Sequence, residues 1–229
     1  TIMIGVYMKK AFTLLELVFV IVVIAILAVI IIPTVKTNPV REAAIQLVSH
    51  IRYTQHLAMI DDRFDAVDTK WYMGMWQIRF TPGNVSSDWG IAYVVYSDRS
   101  HTEHPEKSEI AKDPLSGLYI DGGVVNNNYG DSELLSSANL GKAYGIKDID
   151  FSSSCSYYSS KRITFDHLGR PIKGAISSPA SSDTLVKALK FMTQTCEITI
   201  CSVADCSVAS NDEKVTILIE PETGYTHIQ

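Results

Sequence analysis

Hydrophobic positions follow three regimes along the 229 residues. Residues 17–32 (LVFVIVVIAILAVIII) are apolar without interruption, and with residues 12–16 the stretch reaches the length a helix needs to cross about 30 Å of hydrocarbon. Beyond Pro39 the apolar residues thin to a helical rhythm. Ala44, Leu47, Val48, Ile51 and Ala58 recur at that spacing, with Arg41, Gln46, His50, Arg52 and His56 mainly elsewhere. This predicts an amphipathic helix over 39–60. Asn38 is a fitting N-cap, Pro39 suits the first helical position and Glu42 sits well in the first turn. Past Asp61 the pattern changes to short runs rich in β-branched and aromatic residues, at 71–80, 90–96, 162–165, 197–201 and 215–219. Pro82-Gly83-Asn84, Leu168-Gly169-Arg170-Pro171 and Glu222-Thr223-Gly224 read as turns, the last joining 215–219 to 225–228 as a terminal hairpin. Residues 97–150, with Asp121-Gly122-Gly123 and Asn126-Asn127-Asn128, read as mostly loop and variable surface. A helix followed by antiparallel strands is an α+β arrangement: a long N-terminal helix, membrane-spanning and then amphipathic, packed on an antiparallel β-rich head.

The composition, 46% hydrophobic and 20% charged with 13 Gly and 8 Pro, is that of a folded protein. It excludes collagen, coiled coil, low-complexity disorder and a many-span transporter. The net charge is −5 and no basic cluster is present, so no nucleic-acid partner is expected. Lys9 and Lys10 immediately before the apolar run place the N-terminus in the cytoplasm. A secretory signal peptide has an apolar region of about 7–15 residues ending in small residues, whereas this run is longer and closes with Ile-Ile-Ile-Pro. A plain signal anchor leaves Glu16 without a purpose, although a carboxylate at the edge of a spanning helix costs a few kcal/mol.

Lys9-Lys10-Ala11-Phe12-Thr13-Leu14-Leu15-Glu16-Leu17 resembles the class III signal of type IV pilins and type II secretion pseudopilins. That family has a short basic leader, a small residue before the cut, then Phe-Thr-Leu-x-Glu opening a long apolar helix. The resemblance implies cleavage by prepilin peptidase between Ala11 and Phe12, N-methylation of Phe12, and Glu16 as the fifth mature residue. Pro33 falls at the twenty-second mature position, where the family commonly has a helix-kinking proline, and Pro39 adds a second break. The family nearly always has Gly before the cut; this chain has Ala11. Met8 reads as the natural start, which makes residues 1–7 upstream sequence.

The chemistry of Glu16 stands beside that resemblance. Cleavage after Ala11 leaves a cationic amine on Phe12 at the edge of an apolar helix, where a lone ammonium and a lone carboxylate each carry a desolvation cost that pairing offsets. Glu16 therefore suits the Phe12 amine of its own or a neighbouring chain.

The order of helix, strands, Ile163-Thr164-Phe165-Asp166-His167-Leu168-Gly169 and a closing Thr-Gly-Tyr resembles the minor H-type (FimT-like) pseudopilins and pilins, and Glu16 argues against the tip-most class. The expected organisation is upstream sequence and leader at 1–11, a filament-core and transmembrane helix at 12–33, an amphipathic helix at 34–61, and a periplasmic head at 62–229. The resemblance implies a structural subunit without catalysis or cofactor, anchored by a single pass in the bacterial inner membrane and then part of a pseudopilus. Its partners would be other pseudopilins or pilins, prepilin peptidase and the inner-membrane assembly platform. A minor pilin of an adhesion or DNA-uptake filament and a signal-anchored periplasmic enzyme are the alternatives.

The head offers few candidates for chemistry. Cys155, Cys196, Cys201 and Cys206 lie on the side expected in the periplasm, so two disulfides are expected, with three connectivities available. Cys196 and Cys201 are five apart on a strand, on opposite faces and about 16 Å apart, and are not expected to bond each other. Cys201–Cys206 with Cys155–Cys196 is the favoured pairing, and no Cys-x-x-Cys pair supports zinc. His101 and His104 with Glu103 and Glu106 read as a solvated turn. Asp121, Asn126, Asn128, Asp131 and Glu133 could in principle surround Ca²⁺, but no calcium site of the major pseudopilins can be matched here residue by residue. Residues 152–160 are serine-rich, without a Gly-x-Ser-x-Gly context.

Overall fold

A computed structural model describes residues 13–31, 38–80, 90–102, 104–125, 130–157, 160–174, 176 and 190–229. The chain divides into two compact units, Thr1–Thr37 and Asn38–Gln229. Lys9, Lys10, Ala11, Phe12 and Pro33 lie outside the described residues. The first unit contains the helix α1, Leu14–Ile31; the helix expected over 12–33 is described only within those bounds.

The second unit opens with α2, Pro39–Ile60. The Asn38 side chain accepts a hydrogen bond from Arg41 N at 3.1 Å, meeting one of the orphan donors of the first turn. Among the described residues two four-stranded antiparallel sheets follow. The first has the order β2-β1-β4-β5, with β1 Trp76–Phe80, β2 Tyr93–Ser97, β4 Arg162–Phe165 and β5 Pro171–Lys173. The second has the order β3-β6-β7-β8, with β3 Asp148–Phe151, β6 Cys196–Cys201, β7 Lys214–Ile219 and β8 Thr226–Ile228. One face of each sheet and the buried stripe of α2 share a single core. Ile78, Tyr93, Ile163 and Phe165 come from the first sheet, Ile149, Ile198, Ile217 and Ile219 from the second, and Ala44, Leu47 and Ile51 from the helix.

The aromatic-rich run at 71–80 is not one strand. Trp71–Gly74 forms a 3-10 turn, with Met73 N bonded to Lys70 O, and extended structure begins at Trp76. The stretch expected to be mostly loop is substantially packed. Strand β3 begins inside it, a short helix α3, Leu140–Tyr144, is capped by Asn139, and Ile110, Ile120, Ala138 and Leu140 are buried. Its backbone continues the first sheet past β2, because Ala111 N donates to Val95 O and Val95 N to Ile120 O. That pairing covers an edge that would otherwise present unmet backbone groups.

The terminal hairpin is fastened to α2 by side chains. Arg52 donates through Nε and Nη2 to Thr226 O at 2.9 and 2.6 Å, and Gln55 Nε2 donates to both Gly169 O and Thr223 O. Gly224 sits in this clamp with φ +64°, and a Cβ there would lie 2.4 Å from Gly169 O. Only glycine meets both conditions.

Two disulfides join Cys155 to Cys196 and Cys201 to Cys206, with Cα separations of 5.0 and 5.6 Å. Strand β6 carries one partner of each bridge at either end. This is the pairing the sequence favoured.

Candidate functional site

Among the described residues of the N-terminal unit there is one helix, α1. Thr13 starts α1: Glu16 N donates to Thr13 O at 3.1 Å and to Thr13 Oγ1 at 3.3 Å. Glu16 is the acidic residue of the first turn, where the partial positive charge of the helix N-terminus favours a carboxylate. From Leu14 to Leu27 every side chain is exposed, with Leu14 and Leu15 at 81%. A helix that is apolar all round requires an apolar environment, either lipid or other helices. Among the described residues no helix is long and apolar enough to cross a membrane.

Residues 7–32 match the family of the prokaryotic N-terminal methylation motif. The motif covers Lys9, Lys10, Ala11, Phe12 and Glu16, and supports the resemblance to type IV pilins and pseudopilins. It is the motif of pilin-like structural subunits that are processed by prepilin peptidase and assembled into filaments. No curated protein and no solved structure matches the chain.

In the head, the groups singled out by residue type serve the fold. Glu133 pairs with Lys107 at 2.8 Å, and Asp121 is fully buried with its carboxylate accepting from the backbone N of Gly123, Val124 and Val125. Asn126 and Asn128 lie outside the described residues, as does Glu103. His101 faces Asp68 at 3.5 Å, while Glu106 caps a 3-10 turn. Among the described residues the one convergence of metal-ligating types is Asp148, Cys201 and Cys206. Its two sulfurs are bonded to each other and supply no thiolate. Ser152 Oγ accepts from Glu197 N and Ser154 Oγ donates to Thr195 O, so these serines stitch the end of β3 to β6.

The sequence pattern missed one titratable centre. His50, read with the polar residues of α2, is only 4% exposed. Its position in fact shares the helical spacing of Ala43, Leu47 and Thr54, which was the available signal. The ring makes a 2.7 Å hydrogen bond through Nδ1 with Tyr93 Oη, lies 3.2 Å from Gln46 Nε2 through Nε2, and faces Asp113 at 4.0 Å. With the Gln46 amide donating, Nε2 accepts and the Nδ1 proton goes to Tyr93.

Burial lowers the His50 pKa to about 4, against the opposing pull of Asp113. Burial pushes Asp113 up, but hydrogen bonds from Ser116 and Leu115 and the charge of His50 outweigh it and hold the carboxyl below its ordinary value. The folded state thus prefers neutral His50, whose unfolded pKa is near 6.5. Its contribution to stability is fully present above pH 6.5 and declines as pH falls towards 4, by about 3 kcal/mol in all. Asp113 acts in the same direction only at lower pH. Chemical unfolding of the full chain at pH 7.5 and 4.5 is expected to show this loss, and His50→Gln is expected to flatten the profile between those values. An unchanged slope in the variant assigns the acid sensitivity elsewhere.

Proposed function

We propose that the chain is a minor pseudopilin of the H-type, a structural subunit of a type II secretion pseudopilus. Prepilin peptidase cuts between Ala11 and Phe12, the new amine of Phe12 is methylated, and the apolar helix holds the protein by a single pass in the inner membrane before it enters the filament. The head stands in the periplasm, where its two disulfides are at home. The observation that carries this reading is the methylation-motif match over residues 7–32, with Glu16 five residues into the expected mature chain.

A minor type IV pilin fits the same N-terminus. Loss of the leader removes Lys9 and Lys10 from the 20 basic residues and leaves 18 against 25 acidic ones, a net charge of −7. That disfavours nonspecific binding to DNA, and so the DNA-uptake version of the alternative.

Intact-mass analysis of the protein from cells with and without prepilin peptidase tests the proposal. Processed protein is expected to start at methylated Phe12, and protein from peptidase-deficient cells to retain the leader through Ala11. The same N-terminus in both strains rejects the filament role.

A further inference from the structure

The outer face of the first sheet, turned away from α2, carries a rank of buried polar groups that the fold itself does not satisfy. Gln77 of β1 is the direct cross-strand partner of Tyr96 on β2 and of Thr164 on β4. Arg162 lies two residues before Thr164 on the same face, with its guanidinium carbon 5.9 Å from the centre of the Tyr96 ring. Side chains paired this way stand about 5 Å apart at Cβ, so Gln77 is flanked by Tyr96 on one side and Thr164 on the other, and Arg162 reaches across β1 towards the Tyr96 ring. Tyr96 and Thr164 have no exposed surface, Gln77 has 2% and Arg162 has 9%. Yet Gln77 Oε1, Thr164 Oγ1 and Arg162 Nε have no hydrogen-bond partner, and Tyr96 Oη has none beyond the Arg79 side chain beside it.

Each such group is costly to bury if left unmet, and a guanidinium is rarely this deeply buried unless paired. Arg162 makes no ion pair among the described residues. Its cross-strand neighbour is a second cation, Arg79, which has partners of its own. Like charges directly opposite repel, so the face carries a local positive excess. Asp98, whose charge is felt at Tyr96, has its carboxylate engaged by Thr102 N and Ser100 Oγ.

We propose that Arg162, Thr164, Tyr96 and Gln77 form a binding site for one small oxyanion, a carboxylate or a phosphate. Arg162 supplies charge and the Nε–H, Thr164 and Tyr96 donate hydroxyl protons, and rotation of the Gln77 amide presents Nε2 in place of Oε1. Burial raises the Tyr96 pKa against the pull of Arg162 and Arg79, which keeps the phenol protonated and able to donate. Water could fill the hydrogen bonds but would leave the cation unneutralised, and that excess charge favours an anion.

Thermal unfolding of the full-length protein in detergent, titrated with sodium acetate or sodium phosphate against sodium chloride at equal ionic strength, tests the site. The midpoint is expected to rise by about 3–5 °C for each tenfold increase in the bound anion above its dissociation constant. A rise with acetate alone identifies a carboxylate site and a rise with phosphate a site for tetrahedral oxyanions; either supports the proposal. Arg162→Gln is expected to abolish the rise. Thr164→Val, which keeps the shape and removes one donor, is expected to weaken apparent affinity about tenfold and carries the test if Arg162→Gln fails to fold. No oxyanion-specific rise in the wild type, or a rise of equal size in the variants, overturns the proposal.

Discussion

Glu16→Gln is expected to leave membrane insertion and leader cleavage intact and to cut incorporation into filaments by a factor of hundreds. The argument rests on the proposed assembly role and on one charge. An amide is cheaper to place among apolar helices than a carboxylate, so if Glu16 merely marks the start of α1 the change is harmless or mildly favourable. If the carboxylate pairs with the Phe12 ammonium during docking, the change leaves a buried cation uncompensated. Removing one partner of a buried pair typically costs about 3–5 kcal/mol. The position of Glu16 in the first turn of a helix otherwise apolar through every described side chain leaves it the one acidic group there able to play that part. Crosslinking to partner subunits and recovery in sheared filaments, compared at equal membrane abundance, measure the effect. Wild-type recovery of the variant removes the pairing argument.

The two disulfides are expected to contribute unequally. The Cys155–Cys196 bridge spans a sequence separation of 41 and the Cys201–Cys206 bridge one of 5. The loop-closure entropy removed from the unfolded chain grows with loop length, giving about 4 kcal/mol for the first and about 2 kcal/mol for the second. Denaturant unfolding of the Cys155→Ser/Cys196→Ser and Cys201→Ser/Cys206→Ser double variants, without reductant, measures both losses. Equal or reversed losses would falsify the entropic ordering and point to packing around the buried sulfurs. Alkylation of the native wild type is expected to label none of the four cysteines.

Local signals made some of this architecture legible and left other parts hidden. The start of α2 was readable because Asn38, Pro39 and Glu42 act on their own turn. Strand β4 and the terminal hairpin were readable because β-branched runs sit next to turn residues. Strands β3 and β5 were not. Asp148 and Asp150 in the first, and Pro171 and Lys173 in the second, carry poor strand propensity; pairing with β6 and β4 makes them strands. The same holds for residues 110–121, polar and turn-rich in sequence, which the outer edge of β2 recruits as partners. The Trp71–Gly74 turn shows the reverse error, since aromatic content suggested a strand where a backbone bond from Met73 to Lys70 curls the chain. In the candidate site, the leader and Glu16 were visible as a linear motif. The polar rank around Arg162 was invisible, because it exists only once β1, β2 and β4 are in register.

The fastening of the terminal hairpin to α2 also governs when the head can fold. Arg52 and Thr226 are 174 residues apart, and Gln55 and Thr223 are 168 apart, yet both pairs close the same corner of the core. Contacts of such long range form late, because the intervening chain must first be brought together. As the polypeptide emerges from the ribosome, or crosses a membrane end first, α2 is made early and waits with its apolar stripe open to solvent. The strand that seals it, β8, is made only after the intervening chain, with Thr226 174 residues beyond Arg52. The head is thus a domain that cannot mature in step with its synthesis, and a chain stopped before Tyr225 is left with its first helix unsealed, a ready substrate for chaperones and proteases.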